Sequence, residues 1–340
     1  MTETVTIGME EALALCEGAA KGAGASAEVA ASLARAAVAA EAEGQASVGL
    51  AHFTDYLEAL EAGRIDGQAV PEITRPAGAI IRSNARGGAA HPGFDRAFED
   101  LVDTAQKFGV AIFSQKNAFT CGALGYFAGR LAARGLAALA ATNGPALVAG
   151  AGGTKPVYST NPLAFAAPAA GGPPLLIDQS SSATAFVNIR RAAHAGQSIP
   201  EGWALDAAGN PTTDARAAVK GTLLAFGGSR GANIAMMVEV LSAGLSGANW
   251  SLDAPAFATG SESPGTGLFV VAIEPKLLDP DFETRLQSQI DRLSGEYGVH
   301  IPGAGKVAAR QKSRERGLAV PQPVYDEIAR RADRGSFRDR

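Results

Sequence analysis

Helical and strand-like patterns alternate between Pro92 and Ala141, and this alternation limits the fold more than any other feature of the chain. Pro92 to Gly109 spaces its apolar residues as a helix does, and Val110 to Ser114 is a short apolar run of strand character. Thr120 to Gly135 returns to helical spacing and Leu136 to Ala141 is again strand-like. Strands patterned in this way are buried under the helices between them, so the expected class is α/β. Further strands are predicted over Leu163 to Ala167, Leu175 to Asp178 and Leu268 to Ile273, with helices over Thr184 to Ala195, Ala232 to Leu245 and Phe282 to Tyr297. Ahead of them, Met9 to Gly44 reads as two helices broken at Gly22 to Gly24, with Ser26 as N-cap of the second. A third helix is expected from near Ser47 to Gly63, where glycine can take the left-handed helix-ending conformation; Val48 and His52 would then share one face. Gly196 to Lys220, rich in Gly, Pro and Asp, reads as a surface excursion.

The 340 residues suit two or three lobes, and 46% hydrophobic with 19% charged residues is a globular balance. A net charge of -4 without long runs of either sign argues against nucleic acid and anionic membranes as partners and leaves small molecules. Only two cysteines occur, Cys16 and Cys121, and Met1-Thr2-Glu3-Thr4 opens with an acidic residue where a secretory signal carries basic ones, so a cytoplasmic location is expected. The apolar tract Leu136 to Gly153 is interrupted by Asn143 and Pro145, and no membrane span is expected.

The clearest chemical signal is Leu224-Ala225-Phe226-Gly227-Gly228-Ser229-Arg230-Gly231-Ala232-Asn233, an apolar strand-like run that passes through three glycines into a helix. Glycines let the backbone approach an anion, the first helical N–H groups point at it, and Arg230 adds a fixed positive charge. The segment fits a phosphate-bearing ligand, although an ordinary glycine turn before a buried helix would have the same spacing. The dinucleotide fingerprint Gly-x-Gly-x-x-Gly is missing. Its nearest string, Gly150-Ala151-Gly152-Gly153, runs into Thr154-Lys155-Pro156, where proline argues against a helix, so a standard Rossmann fold is disfavoured. His52, His91, His194 and His300 form no ligand cluster, which argues against a metal. A single histidine is more often structural than catalytic, but His52 lies close to Ser47 on the third helix. Cys121 has no histidine near it in sequence and reads as a small buried residue. Asp178-Gln179-Ser180-Ser181-Ser182 puts a carboxylate and hydroxyls at a strand's C-terminal end, where open α/β sheets bind ligands; a capped turn with Ser182 as N-cap fits as well.

Taken together, several strings resemble the type-2 malate/L-lactate dehydrogenase family, which includes ureidoglycolate dehydrogenases, diketogulonate reductases and reductases of cyclic imino acids. They are Tyr56 with Gly63 to Pro71, Gly122-Ala123-Leu124-Gly125-Tyr126-Phe127, Ser159-Thr160-Asn161-Pro162-Leu163-Ala164, Asp178 to Ser180, Pro200-Glu201-Gly202-Trp203, Asn210-Pro211-Thr212-Thr213-Asp214 and Gly227 to Gly231. The resemblance covers nearly the whole chain. It implies a non-Rossmann nicotinamide-binding fold, a homodimer with its active site between lobes, and reduction of a 2-oxo or 2-imino acid. With it comes an expected division into a helical N-terminal lobe, 1–80, packing with the C-terminal segment 275–340, and a cofactor-binding α/β domain, 81–274. The expected cofactor residues are Asn143, Asp178, Gln179, Ser180, Gly228, Arg230 and Gly231, with Arg230 where the family usually has lysine.

Departures from the family pattern narrow the chemistry. Relatives carry Ser-His-Gly followed three residues later by arginine, and this chain has Ser47-Val48-Gly49 and then His52. Relatives carry a catalytic histidine two residues before the Gly-Ala string, and this chain has Thr120. Hydride delivery to a ketone profits from a positioned proton donor by roughly 10² to 10⁴. A cyclic ketimine can instead be protonated on nitrogen before hydride arrives. The expected activity is therefore NADPH-dependent reduction of Δ1-pyrroline-2-carboxylate or Δ1-piperideine-2-carboxylate to L-proline or L-pipecolate, with NADH as a possible substitute. Ser47, His52 and Thr120 are the expected catalytic residues, and Ser47, His52 and Thr160 the substrate contacts; no metal is expected. The alternatives are a 2-hydroxy acid dehydrogenase in which His52 supplies the proton, and a degenerate cofactor-binding dimer.

Overall fold

The computed structural model describes residues 3–336. Strand β1 (Thr4–Ile7) leads into helices α1 (Met9–Gly22), α2 (Ala27–Ala42) and α3 (Leu50–Glu61). Ser26 caps α2 as its sequence predicts, its Oγ accepting from the Val29 N–H at 3.3 Å. Gly63 follows α3 with φ of 74°, as expected. However, α3 starts at Leu50, so Val48 lies in the preceding turn and shares no helical face with His52. The late start comes from Glu41, whose Oε2 accepts from the Leu50 N–H at 2.8 Å and so caps the helix from outside. Gly49 makes this possible, because a Cβ there would collide with the Glu41 side chain.

The middle of the chain runs through β2 (Glu72–Ala77), β3 (Ile80–Asn84), α4 (Ala90–Phe108), β4 (Val110–Ala118), α5 (Gly125–Ala132) and β5 (Ala137–Thr142). β4 is longer and α5 shorter than their patterns suggest. Residues of β4 out to Ala118 remain paired with a late strand, and the loop after it holds Thr120 to Leu124 out of the helix. The chain continues as β6 (Val148–Ala149), β7 (Pro156–Tyr158), β8 (Leu163–Ala167), β9 (Leu175–Gln179), α6 (Phe186–His194), β10 (Ala204–Leu205), β11 (Pro211–Thr212), α7 (Ala215–Val219) and β12 (Thr222–Leu223). It ends as α8 (Ser229–Glu239) with a π turn (Val240–Gly244), β13 (Thr266–Ile273), α9 (Phe282–Tyr297), α10 (Ala304–Arg316), β14 (Leu318–Pro321) and α11 (Gln322–Ser336).

A seven-stranded sheet has the order β2-β3-β4-β13-β5-β8-β9, in which β3 and β4 are the one parallel pair of neighbours. β4 and β5 run the same way, joined through α5, but β13 is threaded between them in the opposite direction. A five-stranded sheet, β11-β10-β12-β6-β7, takes up the segment Gly196 to Lys220, which is thus not a surface excursion. That segment supplies β10, β11 and α7 and buries Ile199, Ala204, Ala215 and Ala218. Its strands are too short to leave a periodic trace in the sequence.

Four apolar clusters among the described residues underlie these elements, the smallest of them joining Ala141, Val238 and Phe269 on the α8 side of the large sheet. One gathers α1 to α3 with β14 and Ile328 of α11, and α1 packs along α11. The second lies between α4, α5 and the large sheet, and the third between the small sheet, α6 and α7. Among the described residues, no helix is long and apolar enough to cross a membrane.

Candidate functional site

The two glycine strings, far apart in sequence, meet. Gly150 to Gly153 and Gly227 to Ser229 line one cavity of about 380 Å³, with Ala183, Gly202 and Leu224 beside them. Gly227 and Gly228 have φ of 58° and 64°, and a Cβ on Gly152, Gly227 or Gly228 would meet nothing within 4 Å, so this backbone lies bare to the cavity. α8 starts at Ser229, and Arg230 in its first turn is exposed and has no ion-pair partner among the described residues. Free helical N–H groups, bare glycine backbone and an unpaired guanidinium suit the phosphates of a dinucleotide. Gly231 serves the loop itself: it is buried, its N–H donates to the Phe226 carbonyl at 3.1 Å, and a Cβ there would fall on that same oxygen.

From this loop a continuous track leads along β9. Ser182 bridges to Ala225, the Phe226 N–H donates to the Ser181 carbonyl at 3.1 Å, and the Ser181 N–H donates to the Thr160 carbonyl at 2.8 Å. Thr160, Ser180 and Gly227 are thereby brought side by side. Ser182 is not an N-cap, because α6 begins only at Phe186. Gln179 is exposed at the end of β9, and Asp178 before it turns to α5, its Oδ2 accepting from the Gly125 N–H at 2.9 Å and lying 3.4 Å from Lys306 Nζ. Asn143 is buried behind this track, where its Nδ2 donates to the Asn249 carbonyl and its Oδ1 accepts from the Gly267 N–H. Its side chain holds two loops together, and one Nδ2 hydrogen and one Oδ1 lone pair remain beyond these two bonds.

Beyond Asp178 the loop Thr120 to Leu124 meets the first turn of α3. A Cβ on Gly122, whose φ is 63°, would lie 3.1 Å from Tyr56 Oη and 3.9 Å from both His52 Cδ2 and the Val48 carbonyl oxygen. The Ser47 turn, His52 and Thr120 are therefore neighbours. His52 stands edge-on to Tyr56 with ring centroids 4.7 Å apart, its Nδ1 is 2.8 Å from Asp55 Oδ2, and Tyr56 Oη donates to the Thr120 carbonyl. Thr120 Oγ1 is buried without a hydrogen-bond partner. An orphaned buried hydroxyl carries a desolvation cost, so it marks a place where a polar ligand group would be welcome.

Two features of the site, His91 and the network around Glu239, were not evident from the sequence, whereas Cys121 is the small buried residue its sequence context suggests. His91 is buried in a box of Tyr56, Tyr126 and Phe127, with Nδ1 unpaired, and burial pushes its pKa down to about 4, so it stays neutral. Cys121 is buried, which pushes its thiol up to about 12 and keeps it protonated, as suits a packing residue. Behind the track, the Glu239 carboxylate accepts from the Ser251 N–H at 2.6 Å, from Ser251 Oγ at 2.7 Å and from Asn161 Nδ2 at 2.7 Å. Asn161 is held there with φ of 35°, and its backbone carbonyl accepts from Ser181 Oγ. The one trace of this network in the sequence is a glutamate on the stripe that helical spacing from Ala232 and Ala235 would bury. Among the described residues, no three His, Cys, Asp or Glu side chains gather where they could hold a metal.

Comparison with known proteins agrees along the whole chain. The sequence is 38% identical over 300 residues to a (2R)-3-sulfolactate dehydrogenase (NADP(+)) of Chromohalobacter salexigens, covering 87% of this chain and 88% of the relative. It is 35% identical over 303 residues to a Δ1-pyrroline-2-carboxylate/Δ1-piperideine-2-carboxylate reductase of Pseudomonas putida, covering 88% and 89%. The fold superposes on the crystal structure of Δ1-piperideine-2-carboxylate reductase from Pseudomonas syringae pv. tomato with a TM-score of 0.92 at 32% identity, spanning 96% of this chain and 100% of that one. The pattern of one family runs over residues 7–329, and the chain belongs to that family, malate/L-lactate dehydrogenase.

Proposed function

We propose that this protein reduces a cyclic ketimine carboxylate, Δ1-pyrroline-2-carboxylate or Δ1-piperideine-2-carboxylate, to the L-amino acid, with NADPH preferred over NADH. The observation that carries the reading is the end-to-end likeness to the Pseudomonas syringae piperideine-2-carboxylate reductase. The bare glycine cavity with Arg230 supports phosphate binding there, with the track past Thr160, Ser180, Gln179 and Asp178 leading to the Ser47, His52 and Thr120 cluster. The largely antiparallel sheet and the missing fingerprint favour a nicotinamide site outside the standard Rossmann arrangement.

When bound, the nicotinamide supplies the hydride. The residues of this chain have the lesser task of holding an iminium that already carries its proton. Thr120 Oγ1, buried and unpaired, is free to bond the ring nitrogen or carboxylate, and His52 and the Val48 carbonyl, next to Ser47 in the chain, border the same Gly122 loop. Neutral His91 beneath them adds no positive charge to repel an iminium. In the same reading, residues 1–80 form a helical lobe completed by 275–340, residues 81–274 hold the cofactor, and the enzyme works in the cytoplasm as a homodimer. The exposed apolar residues Met236, Met237, Val240, Leu245, Trp250 and Leu252, close in sequence around the π turn, favour a covering second copy.

The 38% identity to a sulfolactate dehydrogenase favours a second reading, reduction of a 2-oxo acid. Following NADPH and NADH oxidation with the two cyclic imines, pyruvate and oxaloacetate at equal concentration separates the two. Turnover of the imines with NADPH is expected, and preference for an oxo acid would overturn the proposal. Arg230→Ala should weaken NADPH binding by roughly 1–3 kcal/mol, the worth of a charged hydrogen bond; unchanged affinity would remove Arg230 from the phosphate site.

A further inference from the structure

The face of the large sheet turned away from α4 carries, over β2, β3 and β4, six polar side chains in two rows. The register sets Thr74, Arg82 and Ser114 side by side, and likewise Glu72, Asn84 and Lys116. Alternate residues of a strand share a face, so all six point the same way. The residues between them turn to α4: Phe113 meets Phe94, Gln115 donates to the Ala90 carbonyl, and Ser83 donates to Gln115. Ser246, just past the π turn, reaches over the polar face and bonds Ser114 at 2.9 Å. The two rows and this overhang form a pocket of about 230 Å³.

The hydrogen-bonding capacity left in this pocket is almost wholly that of donors. Arg82 and Lys116 have no ion-pair partner among the described residues. They are diagonal neighbours on adjacent strands, about 7 Å apart at Cβ, so both long side chains reach one ligand group. Asn84 has only its amide N–H groups left to give, because its Oδ1 already accepts from the Arg86 N–H and from Asn117 Nδ2, each at 3.0 Å. Ser114 and Ser246 use one hydroxyl hydrogen between them and keep the other. Glu72, on the outer strand of the sheet, is the one carboxylate in the pocket, against two cations. Every residue that lines the pocket is polar, which leaves no surface for a hydrocarbon skeleton.

We propose that this pocket binds a phosphate group, held between Arg82 and Lys116 and hydrogen-bonded by Asn84 Nδ2 and the Ser114–Ser246 pair. A tetrahedral dianion presents acceptor oxygens in several directions, which matches donors arriving from two strands and from the turn above them. Free phosphate and a small phosphate ester share this chemistry, and Glu72, across Asn84 from Lys116, stands where a hydroxyl on an ester's tail would find an acceptor. The pocket shares no lining residue with the glycine cavity and does not rest on the proposed reductase activity.

The test is calorimetric titration of inorganic phosphate into the full-length protein at about 0.15 M potassium chloride, where unspecific surface attraction is screened. It is run with NADPH present and again in Arg230→Ala, so that anion binding at the glycine loop is removed either way. Asn84→Asp keeps both internal bonds and turns the free donor into an acceptor, so it should weaken phosphate binding at least ten-fold. Arg82→Met with Lys116→Met should do the same, whereas Lys116→Arg should stay within about three-fold of the parent, with circular dichroism unchanged throughout. Should Asn84→Asp fail to fold, the double variant, which alters two surface side chains, decides. No phosphate binding in the parent overturns the proposal, as does unchanged binding in the folded double variant or equal binding of acetate. Glycerol 3-phosphate distinguishes the source: tighter binding than phosphate, with the gain lost in Glu72→Ala, identifies an ester, and equal binding identifies the free anion.

Discussion

Nδ1 of His52 and Oδ2 of Asp55 lie 2.8 Å apart on the first turns of α3. With the proton on Nδ1, Asp55 accepts it and fixes the tautomer, leaving Nε2 unprotonated beside the Cδ2 edge that borders Gly122. Asp55→Ala is expected to shift the neutral His52 ring toward the Nε2–H tautomer, read from its ring ¹⁵N shifts, and to raise the KM for the imine. His52→Ala should likewise change KM more than kcat. A fall in kcat by about 10² to 10⁴ would mean that His52 donates a proton, and would favour an oxo acid substrate. His91 makes a pH prediction. Its pKa is pushed down to about 4 by burial, against an unfolded value near 6.5, so the unfolded chain binds the extra proton first. Its share of stability is complete above pH 6.5 and is lost as pH falls toward 4, in total on the order of 3 kcal/mol. Urea midpoints measured from pH 7 to pH 4 should fall less steeply for His91→Gln than for the parent.

At the scale of elements, α8 joins the candidate phosphate loop at its N-terminus to the Glu239 network at its C-terminal end. All three donors around Glu239 are satisfied by a carboxylate and cannot all be satisfied by an amide. Glu239→Gln is therefore expected to cost about 1–3 kcal/mol in urea denaturation and to loosen the Ser251 loop, visible as faster amide exchange at Ser251. The helix ends with capping signals, at Ser26 and Gly63, were legible in the sequence. The start of α3 was not, because its cap is a side chain from another helix. β10, β11, β12, β6 and β7 were missed for a different reason: two- or three-residue strands have no period to detect.

Across the whole molecule, the first and last segments of the chain share one core. β1 pairs with β14, α1 packs on α11, and Arg331 of α11, nearly buried, holds both carboxylate oxygens of Glu61 at 3.0 Å as well as Glu327 at 2.9 Å. Arg331→Ala strips Glu61 and Glu327 of a shared partner. Because both carboxylates retain some solvent, the expected loss is about 1–3 kcal/mol, checked by thermal or urea unfolding. Removing residues 322–340 uncovers the apolar face of α1 and should leave the protein aggregated on expression; a soluble, cooperatively folding truncation would show that the helical lobe is stable without α11.

The sequence by itself determined the class of fold, the glycine loop ahead of α8 and the replacements at Val48, His52 and Thr120, since these depend on local spacing and residue identity. It could not determine that Gly150 to Gly153 lines the same cavity as Gly227, that β13 separates β4 from β5, or that Asp178 meets both Gly125 and Lys306. Each of these is a meeting of distant segments, decided by which apolar faces can be buried together once the sheets close. Local pattern records which face of an element is apolar, but not which other face will cover it.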